Sequence, residues 1–143
     1  MKNRFPEILI VEDDPLDVLL TKEILDSQNF RKSLHIVDNG MDAMDFLHKK
    51  GKYKSAPTPD IILLDLNLPK KDGREVLIDI KHNDKLKSIP VVILTSSEMK
   101  EDIRLAYDNY ANSYVAKPLD LEQFANIIRT LNNYWLSLTI KPN

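Results

Sequence analysis

The segment Ile61-Ile62-Leu63-Leu64-Asp65 decides how this chain folds. Four consecutive large aliphatics spell a strand buried on both faces, because a half-exposed strand would alternate apolar with polar residues. Asp65 then stands at the exit of that strand, where open α/β sheets gather their chemistry. Three further runs repeat the pattern. Ile8-Leu9-Ile10-Val11 ends in Glu12, Asp13 and Asp14; Val91-Val92-Ile93-Leu94 ends in Thr95; Tyr114 and Val115 lead to Lys117. Acids, a hydroxyl and an amine at successive strand ends imply one polar site that handles a cation and a phosphoryl group.

The segments between these runs read as helices. Asp14 is placed to cap a first helix that has Pro15 at its first position. The apolar residues Leu16, Leu19, Leu20, Ile24 and Leu25 follow at helical spacing. A short strand is expected at Leu34 to Val37. Asp38 or Asn39 then caps a second helix whose apolar face is Ala43, Met44, Phe46 and Leu47. Gly51 to Pro59 is a loop, since Pro57 and Pro59 exclude a helix or a central strand. Pro69 to Gly73 is a tight turn before a third helix bearing Val76, Leu77 and Ile80. Ser97 is expected to cap a fourth helix containing Ile103, Leu105, Ala106 and Tyr110. Asp120 is expected to cap a fifth that carries Leu121, Phe124, Ile127, Ile128 and Leu131.

Alternating strands and helices imply a parallel sheet covered on both faces, because parallel crossovers are right-handed and need a helix. The expected architecture is α/β: a flavodoxin-like doubly wound five-stranded sheet in strand order 2-1-3-4-5. With 143 residues and no linker or repeat, one domain over 1–143 is expected. Its C-terminal stretch from about Trp135 is apolar enough to pack on something.

Composition narrows the function. Hydrophobic residues make up 43% and charged residues 29%, and the formal net charge is −2. No global field draws in nucleic acid or an anionic membrane. The absence of cysteine excludes disulfides, thiolate nucleophiles and zinc–sulfur sites. No stretch approaches the roughly 18 apolar residues of a membrane span, and no signal peptide opens the chain, so a cytoplasmic location is expected. Lys49, Lys50, Lys52 and Lys54 form a basic cluster without a recognition helix or stacking aromatics, and read as a solvated loop. His35, His48 and His82 lack metal-ligand spacing.

Carboxylates crowded at one sheet edge repel each other, and a hard divalent cation removes that cost. Oxygen ligands select Mg2+ or Mn2+. Asp13 and Asp65 are the candidate carboxylate ligands, the backbone carbonyl of Asn67 a third, and Glu12 or Asp14 the holder of a metal-bound water. An ionised carboxylate can attack phosphorus and form an aspartyl phosphate. Positioning and charge neutralisation then carry most of the catalysis. Lys117 supplies positive charge, Thr95 a hydroxyl donor, and Asp65 the nucleophile. Each residue alone has a blander reading: Asp65 as a loop acid, Thr95 as a strand-end turn residue, Lys117 as a surface lysine.

Together these segments resemble the receiver domain of two-component response regulators. Ile8–Asp14, Ile61–Pro69, Val91–Ser97 and Tyr114–Pro118 match in order, and the resemblance spans about Ile8 to Leu131. Five family positions are filled by Glu12, Asp13, Asp65, Thr95 and Lys117. The resemblance implies that Asp65 takes a phosphoryl group from a sensor histidine kinase, that Thr95 turns toward the phosphate, and that Tyr114 is the switch aromatic. It also implies a cis Lys117–Pro118 bond and a small residue, Ser96, beside an accessible phosphate. The small stand-alone receivers paired with bacterial phytochromes are similar. The implied outputs are a downstream protein, a phosphotransfer protein or a homodimer, read through the face of helix four, strand five and helix five. Glu12 departs from the commoner aspartate, and Asp14 adds a further charge.

Two other classes compete. A Mg2+-dependent phosphohydrolase with an aspartyl-phosphate intermediate usually carries a second acid two residues after the nucleophile, where this chain has Asn67, and it needs a cap for its substrate. A nucleotide-binding flavodoxin-like module needs a glycine-rich loop after the first strand, and this chain has only three glycines.

Overall fold

The computed structural model describes residues 5–28, 31–117, 122–127 and 129–130. Its elements run β1 (Glu7–Val11), α1 (Pro15–Asp26), β2 (Ser33–Val37), α2 (Gly40–His48), β3 (Ile61–Leu64), α3 (Gly73–Lys81), β4 (Val91–Thr95), α4 (Lys100–Asp108) and β5 (Ser113–Ala116). Residues 122–127 and 129–130 are again helical. The strands form one sheet in the order β2-β1-β3-β4-β5. Every pairing is parallel.

β3 is central and flanked on both edges, which is why its four residues are all apolar and all buried. The two-residue period of the strands divides the core in two. Leu9, Val11, Ile62, Leu64, Val91 and Ile93 meet α2, α3 and α4 through Phe46, Leu47, Val76, Leu77, Ile80 and Ala106. Ile8, Ile10, Ile61, Leu63, Val92, Leu94 and Val115 face Ile24 and Leu25 of α1 and Phe124.

Two helix starts follow the expected chemistry, and a third has a cap of its own. Asp14 accepts from Leu16 N at 2.9 Å, with Pro15 opening α1. Asn39, rather than Asp38, caps α2 by accepting from Asp42 N at 2.8 Å. Asp72 caps α3. The expected loop contains one 3-10 turn, Gly51–Tyr53, ahead of its prolines. Lys49 in the basic cluster donates to Ala56 O at 2.6 Å, so part of that charge is used to close the loop.

Three local expectations are corrected. Leu16, Leu19 and Leu20 are 71%, 53% and 41% exposed, whereas Thr21, Ile24 and Leu25 are buried. The inward stripe of α1 therefore begins one helical turn before Thr21, at Asp17. Ser97 does not cap α4: the cap position is Met99, without a side-chain bond, and the Ser97 hydroxyl donates to Asp102 instead. Tyr110 lies beyond α4 in a left-handed conformation (φ 64°) and is exposed. Expectations at Pro118, Asp120, Leu121, Ile128, Leu131 and the Trp135 tail lie outside the described residues. Among those described, no helix is long and apolar enough to cross a membrane.

Candidate phosphoryl-acceptor site

The site grows out of the sheet's hydrogen-bond ladder. Glu12 N donates to Val37 O at 3.0 Å, Asp65 N to Val11 O at 3.0 Å, and Lys117 N to Thr95 O at 2.8 Å. Each functional residue just past a strand end is thus still held by the neighbouring strand. Thr95 is the last residue of β4 and is wholly buried. The loop after β3 turns back so tightly that a Cβ at Gly73 would stand 2.1 Å from the Asp65 carbonyl oxygen, so only glycine fits there.

Carboxylate oxygens of Glu12, Asp13 and Asp65 lie within 4.8 Å of one another. Glu12 and Asp65 are buried and Asp13 is exposed, which leaves the cluster one open side. An all-oxygen set of this kind fits a hard divalent cation. Asp14 is not part of the cluster: its side chain caps α1, and its backbone N–H donates to Glu12 Oε2 at 3.2 Å. Asn67 is exposed, and its N–H donates to Asp65 Oδ1 at 3.2 Å.

One cation binds the acids together. Lys117 Nζ donates to Glu12 Oε1 at 2.5 Å, Asp17 Oδ2 at 2.8 Å and Asp65 Oδ2 at 3.2 Å. Burial pulls the Lys117 pKa down, but hydrogen bonds to Asp17 and Glu12 outweigh it and hold the ammonium above the ordinary lysine range. Burial pushes the Glu12 carboxyl up, with Lys117 opposing the rise and the Asp65 charge adding to it.

A second network adjoins the first. Arg74 binds Asp102 through two parallel bonds, Nε to Oδ1 and Nη2 to Oδ2, both 2.7 Å. Its Nη1 donates to Asp72 Oδ1 at 2.9 Å. Ser97 Oγ donates to Asp102 Oδ2 at 2.5 Å, and Tyr114 OH donates to Ser97 O at 2.9 Å. Arg74 holds the Asp102 carboxyl down, to about 2, with the Ser97 hydroxyl assisting.

The structure therefore gathers Glu12, Asp13, Asp65 and Lys117, places Thr95 on the adjoining strand end, and ties Tyr114 to the loop after Thr95. Asp17, Arg74 and Asp102 join the site without being marked by the sequence pattern. Asp17 carries no signal in the sequence, because the stripe it shares with Thr21, Ile24 and Leu25 is not the one marked by Leu16, Leu19 and Leu20. Arg74 and Asp102 are 28 residues apart and carry none either.

Residues 8–129 match the response regulator receiver domain family. The chain belongs to that family. The receiver is 42% identical to the response regulator Rcp1 of Synechocystis sp. over 135 residues, covering 94% of this chain and 92% of Rcp1. It is 38% identical to the probable methanogenesis regulatory protein FilR2 of Methanothrix harundinacea, covering 94% and 86%. Among solved structures, the phosphorylated cyanobacterial phytochrome response regulator RcpA superposes with a TM-score of 0.84 at 42% identity, over 98% of this chain and 100% of that one. The Mn2+-bound form of Rcp1 gives 0.83 at 41% identity, over 96% and 99%. These likenesses favour a signalling receiver over a phosphohydrolase.

Proposed function

We propose that this receiver accepts a phosphoryl group on Asp65 from a sensor histidine kinase and passes the change to a partner protein. The observation that carries this is the meeting of Glu12, Asp13, Asp65 and Lys117, with the buried Thr95 beside them, at one sheet edge. Glu12, Asp13 and Asp65, with the Asn67 carbonyl, would hold Mg2+ or Mn2+, Glu12 through a water. When bound, the cation offsets the crowded carboxylates and the charge of the incoming phosphoryl group. The likeness to Mn2+-bound Rcp1 supports that assignment.

The remaining steps belong to the chain's own residues. An Asp65 carboxylate oxygen attacks phosphorus, and an O–P bond forms. The P–N bond to the kinase histidine breaks, its electron pair returns to the imidazole, and the imidazole takes up a proton from water. Lys117, already 3.2 Å from Asp65 Oδ2, neutralises one phosphoryl oxygen. The Thr95 hydroxyl donates to another. Because Tyr114 OH is bonded to Ser97 O, movement of the loop after Thr95 reaches β5 directly. The exposed Met99, Tyr107 and Tyr110 supply apolar surface for the partner, which is a downstream protein, a phosphotransfer protein or a second copy.

The chain acts as one receiver domain, and the protein itself, rather than a turned-over substrate, is what the reaction alters. Resemblance to RcpA supports a phytochrome as the kinase, and a kinase-coupled role is in keeping with a cytoplasmic receiver. Acetyl phosphate with Mg2+ is expected to give a single acid-stable, base-labile adduct that mass spectrometry locates on Asp65, and Asp65→Asn is expected to abolish it. An adduct elsewhere, or rapid hydrolysis of many phosphate esters with no adduct, would defeat the assignment.

A further inference from the structure

The third acid on Lys117 has no place in the chemistry described so far. Asp17 sits in the first turn of α1 on the stripe that continues through Thr21, Ile24 and Leu25 into the core. An acid in the first turn ordinarily serves its own helix, by facing the positive end of the dipole or reaching back to the cap residue's N–H. Here the Asp14 N–H donates to Glu12 Oε2 instead. The Asp17 carboxylate reaches across to Lys117 Nζ at 2.8 Å. Its oxygens are not among those of the acidic cluster, which is Glu12, Asp13 and Asp65. Asp17 therefore serves the ammonium.

An ammonium has three N–H donors and free rotation about its last bond. Glu12 and Asp17 engage two of the donors, and the third meets Asp65 Oδ2. With two directions fixed, the third is fixed as well. We propose that Asp17 is a positioning residue for phosphoryl transfer: with Glu12 it pins Lys117 so that one N–H points at Asp65, where the phosphoryl oxygens arrive. This rests on the acceptor role of Asp65 proposed above. When the Asp65–phosphorus bond forms and the donor leaves with its electron pair, Lys117 exchanges only its Asp65 contact for a phosphoryl oxygen. The bonds to Glu12 and Asp17 persist. Lys117 has a side chain only 11% exposed, so the pinning operates largely out of water.

The test compares rates of Asp65 phosphorylation by acetyl phosphate, read by intact-protein mass, across a Mg2+ titration. Asp17→Ala is expected to slow the reaction about fivefold, the effect of one partly exposed charge-assisted hydrogen bond. The Mg2+ concentration at half-maximal rate stays where it is, because Asp17 is outside the cluster. Asp17→Asn, whose amide oxygen accepts the same bond, recovers most of the rate. In a Lys117→Ala background, Asp17→Ala makes no further difference. Asp17→Ser, one bond shorter and still polar, replaces Asp17→Ala if that variant fails to fold. The role is overturned if the variant reacts at the wild-type rate, if its loss is matched by a shifted Mg2+ midpoint, if Asn is no better than Ala, or if the loss persists without Lys117. A wild-type protein that takes no phosphoryl group on Asp65 overturns the acceptor role and this one together.

Discussion

Lys117 and Arg74 are both cations held by carboxylates near one edge of the sheet, and they are held in opposite ways. Arg74 presents a planar fork to Asp102 through two bonds of equal length and gives its remaining nitrogen to Asp72. Such a pair has one good geometry and resists rearrangement. Lys117 is a point charge shared among three carboxylates at 2.5, 2.8 and 3.2 Å, and its longest contact is to the proposed acceptor. A shared ammonium can trade one partner for another without leaving its place. The guanidinium thus fastens the loop after β3 to α4, with Asp102 in turn holding Ser97 of the loop after β4, while the ammonium remains exchangeable where a new anion arrives.

The sharpest way to break this contrast is Lys117→Ala. Loss of a charge aimed at the transferring group is expected to slow Asp65 phosphorylation about 100-fold, measured with acetyl phosphate and Mg2+. Arg74→Lys should do the reverse. It keeps the charge but cannot make the fork, so urea denaturation is expected to show a loss of about 2 kcal/mol. Phosphorylation of Asp65 should stay within about twofold, because Arg74 is not in contact with the reacting atoms.

A smaller effect comes from pH. The Asp102 carboxyl is lowered from 3.8 to about 2 in the folded protein. Its contribution to stability is therefore present above pH 3.8 and is lost as the pH falls through about 2. The stability advantage of the wild type over Asp102→Asn is expected to shrink by about 1–2 kcal/mol across that window, as read from denaturation curves. An advantage that stayed constant would mean that Arg74 does not depend on the ionised form of Asp102.

The same contrast explains what could be read from the chain and what could not. The strands were legible because apolar runs such as Ile61–Leu64 are local, and so were their chemical ends, because parallel strands bring those ends to one edge. Asp13, Asp65, Thr95 and Lys117 follow from that geometry, whereas the choice of Glu12 over Asp14 rests on the family resemblance. The face of α1 was misread, since Leu16, Leu19 and Leu20 have helical spacing but point outward. Where a helix docks decides which of its stripes is buried, and docking is a tertiary event. Ser97 was misread for a related reason. Its hydroxyl had a nearby helix start to serve and a stronger acceptor in Asp102, whose partner Arg74 comes from a distant segment.

The ladder bonds that run past the strand ends have a further consequence. The amides of Glu12, Asp65 and Lys117 are tied to Val37, Val11 and Thr95, so these positions cannot open without parting the strands themselves. Reactive residues on loops usually belong to the least stable, locally fluctuating part of a protein. Here three residues of the centre share the backbone ladder of the core sheet. The backbone of these three residues is therefore held as firmly as the sheet edge that carries it, while the Lys117 side chain can still trade one partner for another.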